Sequence, residues 1–142
     1  MAKLWEKDLP LNKKIESFTI GRDKELDLFL AKYDVLGSIA HARMLNAVGL
    51  LTAEETKLLI AELKKIYCSI ENGEFKIEEG VEDVHSEVEF LLTDALGDTG
   101  KKIHSGRSRN DQILLDLKLF TRAEIERTVR AVSSLFEVCQ AQ

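Results

Sequence analysis

Proline occurs once in the 142 residues, at Pro10, and glycine only eight times. Long stretches therefore contain nothing that breaks the backbone hydrogen-bond ladder, and the composition predicts an all-helical protein. Cysteine is as scarce. Cys68 and Cys139 lie far apart, without CxxC spacing and inside helical patterns, which predicts buried reduced thiols rather than a disulfide or a metal site. A cationic excess is missing too: 20 Lys and Arg against 25 Asp and Glu leave a net charge of −5, so no overall basic field is available to hold nucleic acid. The first residues, Met1-Ala-Lys-Leu-Trp-Glu-Lys-Asp8, are charged and lead into no apolar run. Neither a secretory signal nor a membrane anchor is indicated, and a cytoplasmic location is expected. No internal repeat, no Walker-type glycine loop and no Cys/His cluster is present, so a solenoid, a nucleotide site and a zinc site are unsupported.

Against these absences stand 44% hydrophobic and 32% charged residues, the balance of a chain that folds. The length fits one domain and is small for a complete multi-step enzyme. Over residues 23–48, Leu26, Phe29, Leu30, Tyr33, Leu36, Ala40, Met44 and Ala47 recur at spacings of three and four, predicting one helix with that stripe inward and a stop at Gly49. Thr52-Ala-Glu-Glu55 reads as a capping box opening a second helix, whose stripe is Leu59, Leu63, Ile66, Tyr67 and Ile70 and which ends at Asn72-Gly73. After a short connection through Phe75 and Ile77, Glu82 and Asp83 suit the positive end of a third helix. That helix turns Val84, Val88, Leu91, Leu92 and Ala95 inward and stops at Gly97.

Residues 97–107 read as a glycine-containing loop and form the one basic island in the chain. Beyond it Ile113, Leu117, Phe120, Thr128, Ala131, Leu135 and Val138 mark a helix of about 30 residues, about 45 Å long. This stripe meets no glycine, proline or cap before the sequence stops. It predicts a helix belonging to a larger body, its apolar face covered by further helices or by a coiled-coil partner.

Residues 101–112, Lys-Lys-Ile-His-Ser-Gly-Arg-Ser-Arg-Asn-Asp-Gln, gather the donors in which chemistry can reside. Ser108 or Asn110 can cap the long helix, its first-turn amides face outward, and Arg107 and Arg109 can each grip a carboxylate through two parallel bonds. A small di- or tricarboxylate or a phosphate fits these donors, and so does a plain solvated loop whose arginines pair with surface acids. His85, near the start of the third helix, reads either as a partly exposed polar residue or as a group acting on substrate. His41 and His104 read as structural.

The segment His-Ser-Gly-Arg-Ser-Arg-Asn-Asp-Gln at 104–112 resembles the HTGRSRNDQ segment of argininosuccinate lyases. In the family's order, Lys3-Leu-Trp5 resembles its KLWGGRF, Asp34-Val-Leu-Gly-Ser38 its DVxGS, and Glu82-Asp-Val-His85 its EDIH. The resemblance implies an all-α protein: over 1–108 the amino-terminal helical domain of a fumarase/aspartase-type lyase, and over 109–142 the first long helix of the central bundle. It further implies a homotetramer whose active sites draw on three subunits, and reversible β-elimination of argininosuccinate to arginine and fumarate without cofactor or metal. On this resemblance Asn110 binds substrate, Arg109 and Ser108 contact the succinyl carboxylates within the loop from Ser105, and Arg107 orients the loop. His85 positions and stabilises charge. The family's substrate-binding serine falls near Gly21, where Arg22 or Thr19 is the candidate replacement. Its general-acid/base histidine and its GSSxMPxKxN loop have no match in these residues, so the chain alone is expected to be inactive. A sister lyase acting on adenylosuccinate or another fumarate adduct is the enzymatic alternative, and a non-catalytic helical assembly module the structural one.

Overall fold

Helix follows helix through the computed structural model, which describes Phe18, residues 21–78 and residues 80–141. No strand occurs among the described residues, and no helix there is long and apolar enough to cross a membrane. Lys3, Trp5 and Thr19 lie outside the described residues.

The order is α1 (Asp23–Asp27), α2 (Ala31–Ala47), α3 (Ala53–Glu71), α4 (Val84–Leu96), α5 (Asp98–Lys101), a 3-10 turn (Lys102–His104) and α6 (Arg109–Gln140). Gly49 ends the α2 segment at φ 80°, a conformation only glycine adopts freely, while Leu50 and Leu51 both bond back to the Leu45 carbonyl. Thr52 then opens α3 with the expected capping box: Oγ1 accepts from the Glu55 amide, and the Glu55 carboxylate accepts from the Thr52 amide at 2.9 Å. Asp83 caps α4, accepting from the Ser86 amide at 2.8 Å.

α2, α3 and α4 pack together with the 3-10 turn beneath them. Their shared core is Val35, Ala42, Leu45, Leu59, Leu63, Ile66, Val84, Val88, Leu92 and Ile103. Each fully buried leucine there contributes about 1.5–3 kcal/mol of transfer free energy. The amino-terminal part of α6 lies on α2, where Phe120 meets Tyr33 edge-on with ring centroids 6.0 Å apart. Residues 125–141 are exposed throughout.

Several sequence expectations are corrected. Residues 23–48 are two helices, because residues 28–30 turn more tightly: the Leu30 amide bonds Asp27 O at 2.8 Å, and the Asp27 carboxylate accepts from the Val84 amide. Of the stripe predicted over residues 23–48, Tyr33 is buried as expected and Leu30 half-buried, but Leu26, Phe29, Leu36, Ala40, Met44 and Ala47 are exposed; beside Tyr33, α2 buries Ala31, Asp34, Val35, Gly37, Ser38, Ala42 and Leu45. Apolar residues cover more than one face of this helix, so their spacing does not choose between faces. Ala95 on α4 is exposed. Residues 97–107 are not all loop, since they contain α5 and the 3-10 turn. Cys68 and Cys139 are free as expected but exposed rather than buried. On α6 the expected stripe gives only half-buried Ile113 and Phe120, and what the helix buries against α2 is polar: Gln112 and Asp116.

Candidate functional site

The segment 104–112 becomes a clamped turn running into α6. Ser108 is the cap: its hydroxyl accepts from the Asp111 amide, and the Asp111 carboxylate accepts from both the amide (2.8 Å) and the hydroxyl (3.0 Å) of Ser108. Those bonds hold the Asp111 carboxyl below the usual carboxylate range. His41, on α2, donates from Nε2 to the Ser105 carbonyl at 2.8 Å. His104 faces Glu89, with Nδ1 and Oε2 3.4 Å apart.

The two arginines are anchored rather than free. Arg107 reaches inward and donates from Nη1 to Ser38 Oγ on α2 at 3.0 Å. Arg109 lies across the start of α4: Nη2 donates to Ser86 Oγ at 2.8 Å, and Nη1 stands 3.1 Å from Asp83 and 3.4 Å from Glu82. With both guanidinium groups held from behind, Ser105, Gly106, Ser108 and Asn110 form the exposed rim. Arg22, considered for the amino-terminal contact, pairs with Glu25 on the surface.

His85 lies behind this rim, 6% exposed and next to the Ser86 that holds Arg109. Its Nδ1 donates to Asp34 Oδ1 at 2.8 Å; Gln112 Nε2 donates to the same oxygen at 3.1 Å, and Asp116 Oδ2 is 3.8 Å from Nδ1. Asp34 Oδ2, Asp116 Oδ2 and Arg107 Nε are buried with no hydrogen-bond partner. Their three residues line a cavity of about 90 Å³ with His41, Gln112 and Leu115. Burial, reinforced by the charge of Asp34, pushes the Asp116 carboxyl up to about 7 against the pull of His85 and Arg107. For His85 burial acts downward, but the bond to Asp34 and the charges of Asp34, Asp83 and Asp116 leave the ring raised above its ordinary value.

Among the described residues, Asp34, His85 and Asp116 form the one group of carboxylate and imidazole atoms close enough to ligate a metal, all within 4.8 Å of one another. The guanidinium of Arg107 lies along the same cavity and opposes a bound cation there.

The fold thus brings Ser105, Arg107, Ser108, Arg109 and Asn110 to one turn with His85 behind them. Sequence reading named Asp34 and Gln112 only as parts of motifs and missed Asp116 altogether. The available signal was a helical acid with an apolar neighbour on either side, Tyr33-Asp34-Val35 and Leu115-Asp116-Leu117. His85 looked solitary only because its partners come from α2 and α6.

A family model described as Lyase matches residues 1–142. The argininosuccinate lyase of Bacteroides thetaiotaomicron is 68% identical over 136 residues, covering 96% of this chain and 30% of its own length. That of Parabacteroides distasonis is 61% identical over 140 residues, 99% of this chain and 31% of the relative. The more distant enzyme of Thermotoga neapolitana is 43% identical over 125 residues, 88% and 31%. The chain spans about 30% of the length of the curated relatives it matches.

Proposed function

The chain belongs to the lyase family, and from that membership we propose that it forms part of an argininosuccinate lyase, which splits argininosuccinate reversibly into arginine and fumarate. The observation that carries this reading is the 61–68% identity to proteins of that name across nearly the whole chain. In the reaction a proton leaves the carbon beside a carboxylate, the carbon–nitrogen bond breaks, and the electron pair stays with arginine. Negative charge grows on the carboxylate in between, so donors fixed in advance lower the barrier.

The rim of the turn supplies such donors. Asn110 binds substrate, Ser108 and Arg109 meet the succinyl carboxylates within the loop from Ser105, and Arg107 orients that loop. The anchoring supports these roles: Arg109 is held by Ser86, Asp83 and Glu82, so its remaining donors are oriented before substrate arrives. His85 positions substrate and stabilises charge rather than abstracting the proton. No cofactor is assigned.

The reading extends to a cytoplasmic homotetramer in which residues 1–108 form an amino-terminal helical domain and residues 109–142 begin a central bundle. The exposed Ile125, Val129, Val132 and Phe136 of α6 support that assembly.

The test is fumarate release by the full-length polypeptide that carries these residues, with adenylosuccinate as control substrate. Release from argininosuccinate alone establishes the reading. Release only from adenylosuccinate keeps the lyase and changes the substrate, and release from neither favours a structural module. Asn110→Ala is expected to abolish turnover without disturbing assembly, and the 142-residue chain alone to release no fumarate.

A further inference from the structure

Asp34 is 1% exposed in the first turn of α2, where that helix meets α4 and α6. A carboxylate taken out of water there is unfavourable until its partners compensate it, and an apolar side chain would pack the same place without that penalty. Its partners are few and specific: Oδ1 accepts from His85 Nδ1 and from Gln112 Nε2, and Oδ2 has none. Nδ1 of His85 is therefore committed to the interior, and the neutral ring carries its proton there. Nε2 is the ring nitrogen left for a ligand.

We propose that Asp34 is a positioning residue of this site: it holds His85 by Nδ1 so that Nε2 is the atom presented to substrate. The inference rests on the functional reading above, and it adds to it a residue that touches no substrate.

The surrounding geometry is that of a holder. Gln112 fixes the same carboxylate oxygen from α6, the helix whose first turn carries Arg109 and Asn110. Asp34 thereby ties the histidine of α4 to the helix that bears the rim. Ser86, one residue beyond His85, makes the second tie by accepting from Arg109. The charged groups facing the ring are Asp34 on α2, Asp83 at the cap of α4 and Asp116 on α6, while Arg107 shares the cavity with Asp34 and Asp116.

The experiment is a double-mutant cycle on the full-length enzyme, reading fumarate release from argininosuccinate. Asp34→Asn keeps the side-chain volume and removes the charge. Alone it is expected to lower kcat/KM about ten-fold or more, and on a His85→Asn background less than about two-fold, because the group it positions is already gone. The pH limb of kcat/KM that belongs to His85 should move to lower pH in Asp34→Asn. Gln112→Met leaves Asp34 in place but frees its carboxylate to turn. It should show the same background dependence at smaller size, and it decides the matter should Asp34→Asn fail to fold. Equal losses on both backgrounds, or no loss in either single variant, overturn the inference while leaving the lyase reading intact. An unsubstituted enzyme that releases no fumarate from argininosuccinate overturns both.

Discussion

His41 Nε2 lies 2.8 Å from the carbonyl oxygen of Ser105, so one side chain of α2 clamps the turn that leads into α6. Burial first, then the nearby Arg107 and His104, lowers the His41 pKa, against the raising effect of the bond to Ser105. A histidine depressed below its unfolded value contributes stability that is complete above pH 6.5 and lost as pH falls toward the folded value. His41→Ala removes the clamp. It should destabilise the chain by about 1 kcal/mol and, on the proposed lyase reading, raise the full-length protein's KM for argininosuccinate several-fold with less effect on kcat. His41→Gln keeps a donor and should recover part of both. Thermal melts at pH 7 and steady-state kinetics check this, and an unchanged KM in His41→Ala would show that the clamp has no bearing on binding.

Asp116 titrates in the opposite sense. Its carboxyl is pushed from the ordinary 3.8 up to about 7, chiefly by burial and by Asp34. The folded protein therefore binds more protons than the unfolded chain between these values. The stability this group contributes is complete below pH 4 and is lost as pH rises through 7. Asp34, His85, Arg107 and, from α1, Asp27 are the charges that act on it. Asp116→Asn removes the titration. The melting temperature of the variant, relative to the parent chain, should be higher at pH 8 than at pH 5, by an amount corresponding to a few kcal/mol. Parallel pH dependences for variant and parent would assign the proton elsewhere in the cluster.

These two residues mark where the sequence was legible and where it was not. Capping chemistry is local, so Thr52 with Glu55 and Ser108 at the head of α6 were readable from a few adjacent residues. The stops at Gly49, Gly73 and Gly97 were readable for the same reason. The inward face of α2 was not, because a period of three to four selects the larger apolar residues. The helix instead buries Asp34 and Ser38, whose partners His85 and Arg107 stand 51 and 69 residues away. A polar residue satisfied by such a partner is indistinguishable in sequence from one facing water. The rim from Ser105 to Asn110 was found because it is contiguous, and the buried half of the site was missed because three helices contribute to it.

Gly100 shows how closely the rim is tied to the core. It is buried and helical, so conformation alone does not demand glycine. An added Cβ would stand 2.2 Å from the Leu92 carbonyl oxygen and 2.7 Å from the Thr93 amide nitrogen, both backbone atoms of α4. Neither can swing aside as a side-chain tip would, so α5 must lift off α4. Gly100→Ala is expected to cost about 2–3 kcal/mol in a denaturant melt. Because α5 leads through the 3-10 turn to Ser105, on the proposed lyase reading it should also raise KM in the full-length protein. A variant as stable as the parent would mean that α5 sits away from α4 in solution.

The carboxy-terminal part of α6 supplies the last expectation. Val129, Val132, Leu135 and Phe136 are 58%, 61%, 64% and 62% exposed, on a helix of 32 residues that is about 48 Å long. Burying one such side chain contributes about 1.5–3 kcal/mol. Two copies laid along each other gain several such contributions at once, enough to offset association entropy at micromolar concentration. The chain should therefore self-associate in analytical ultracentrifugation, and Val132→Glu or Phe136→Glu should shift it toward the monomer while leaving the melting of α2, α3 and α4 unchanged. Sedimentation as a monomer at high concentration would show that this face does not pair with itself and would leave it to other helices of the full-length protein.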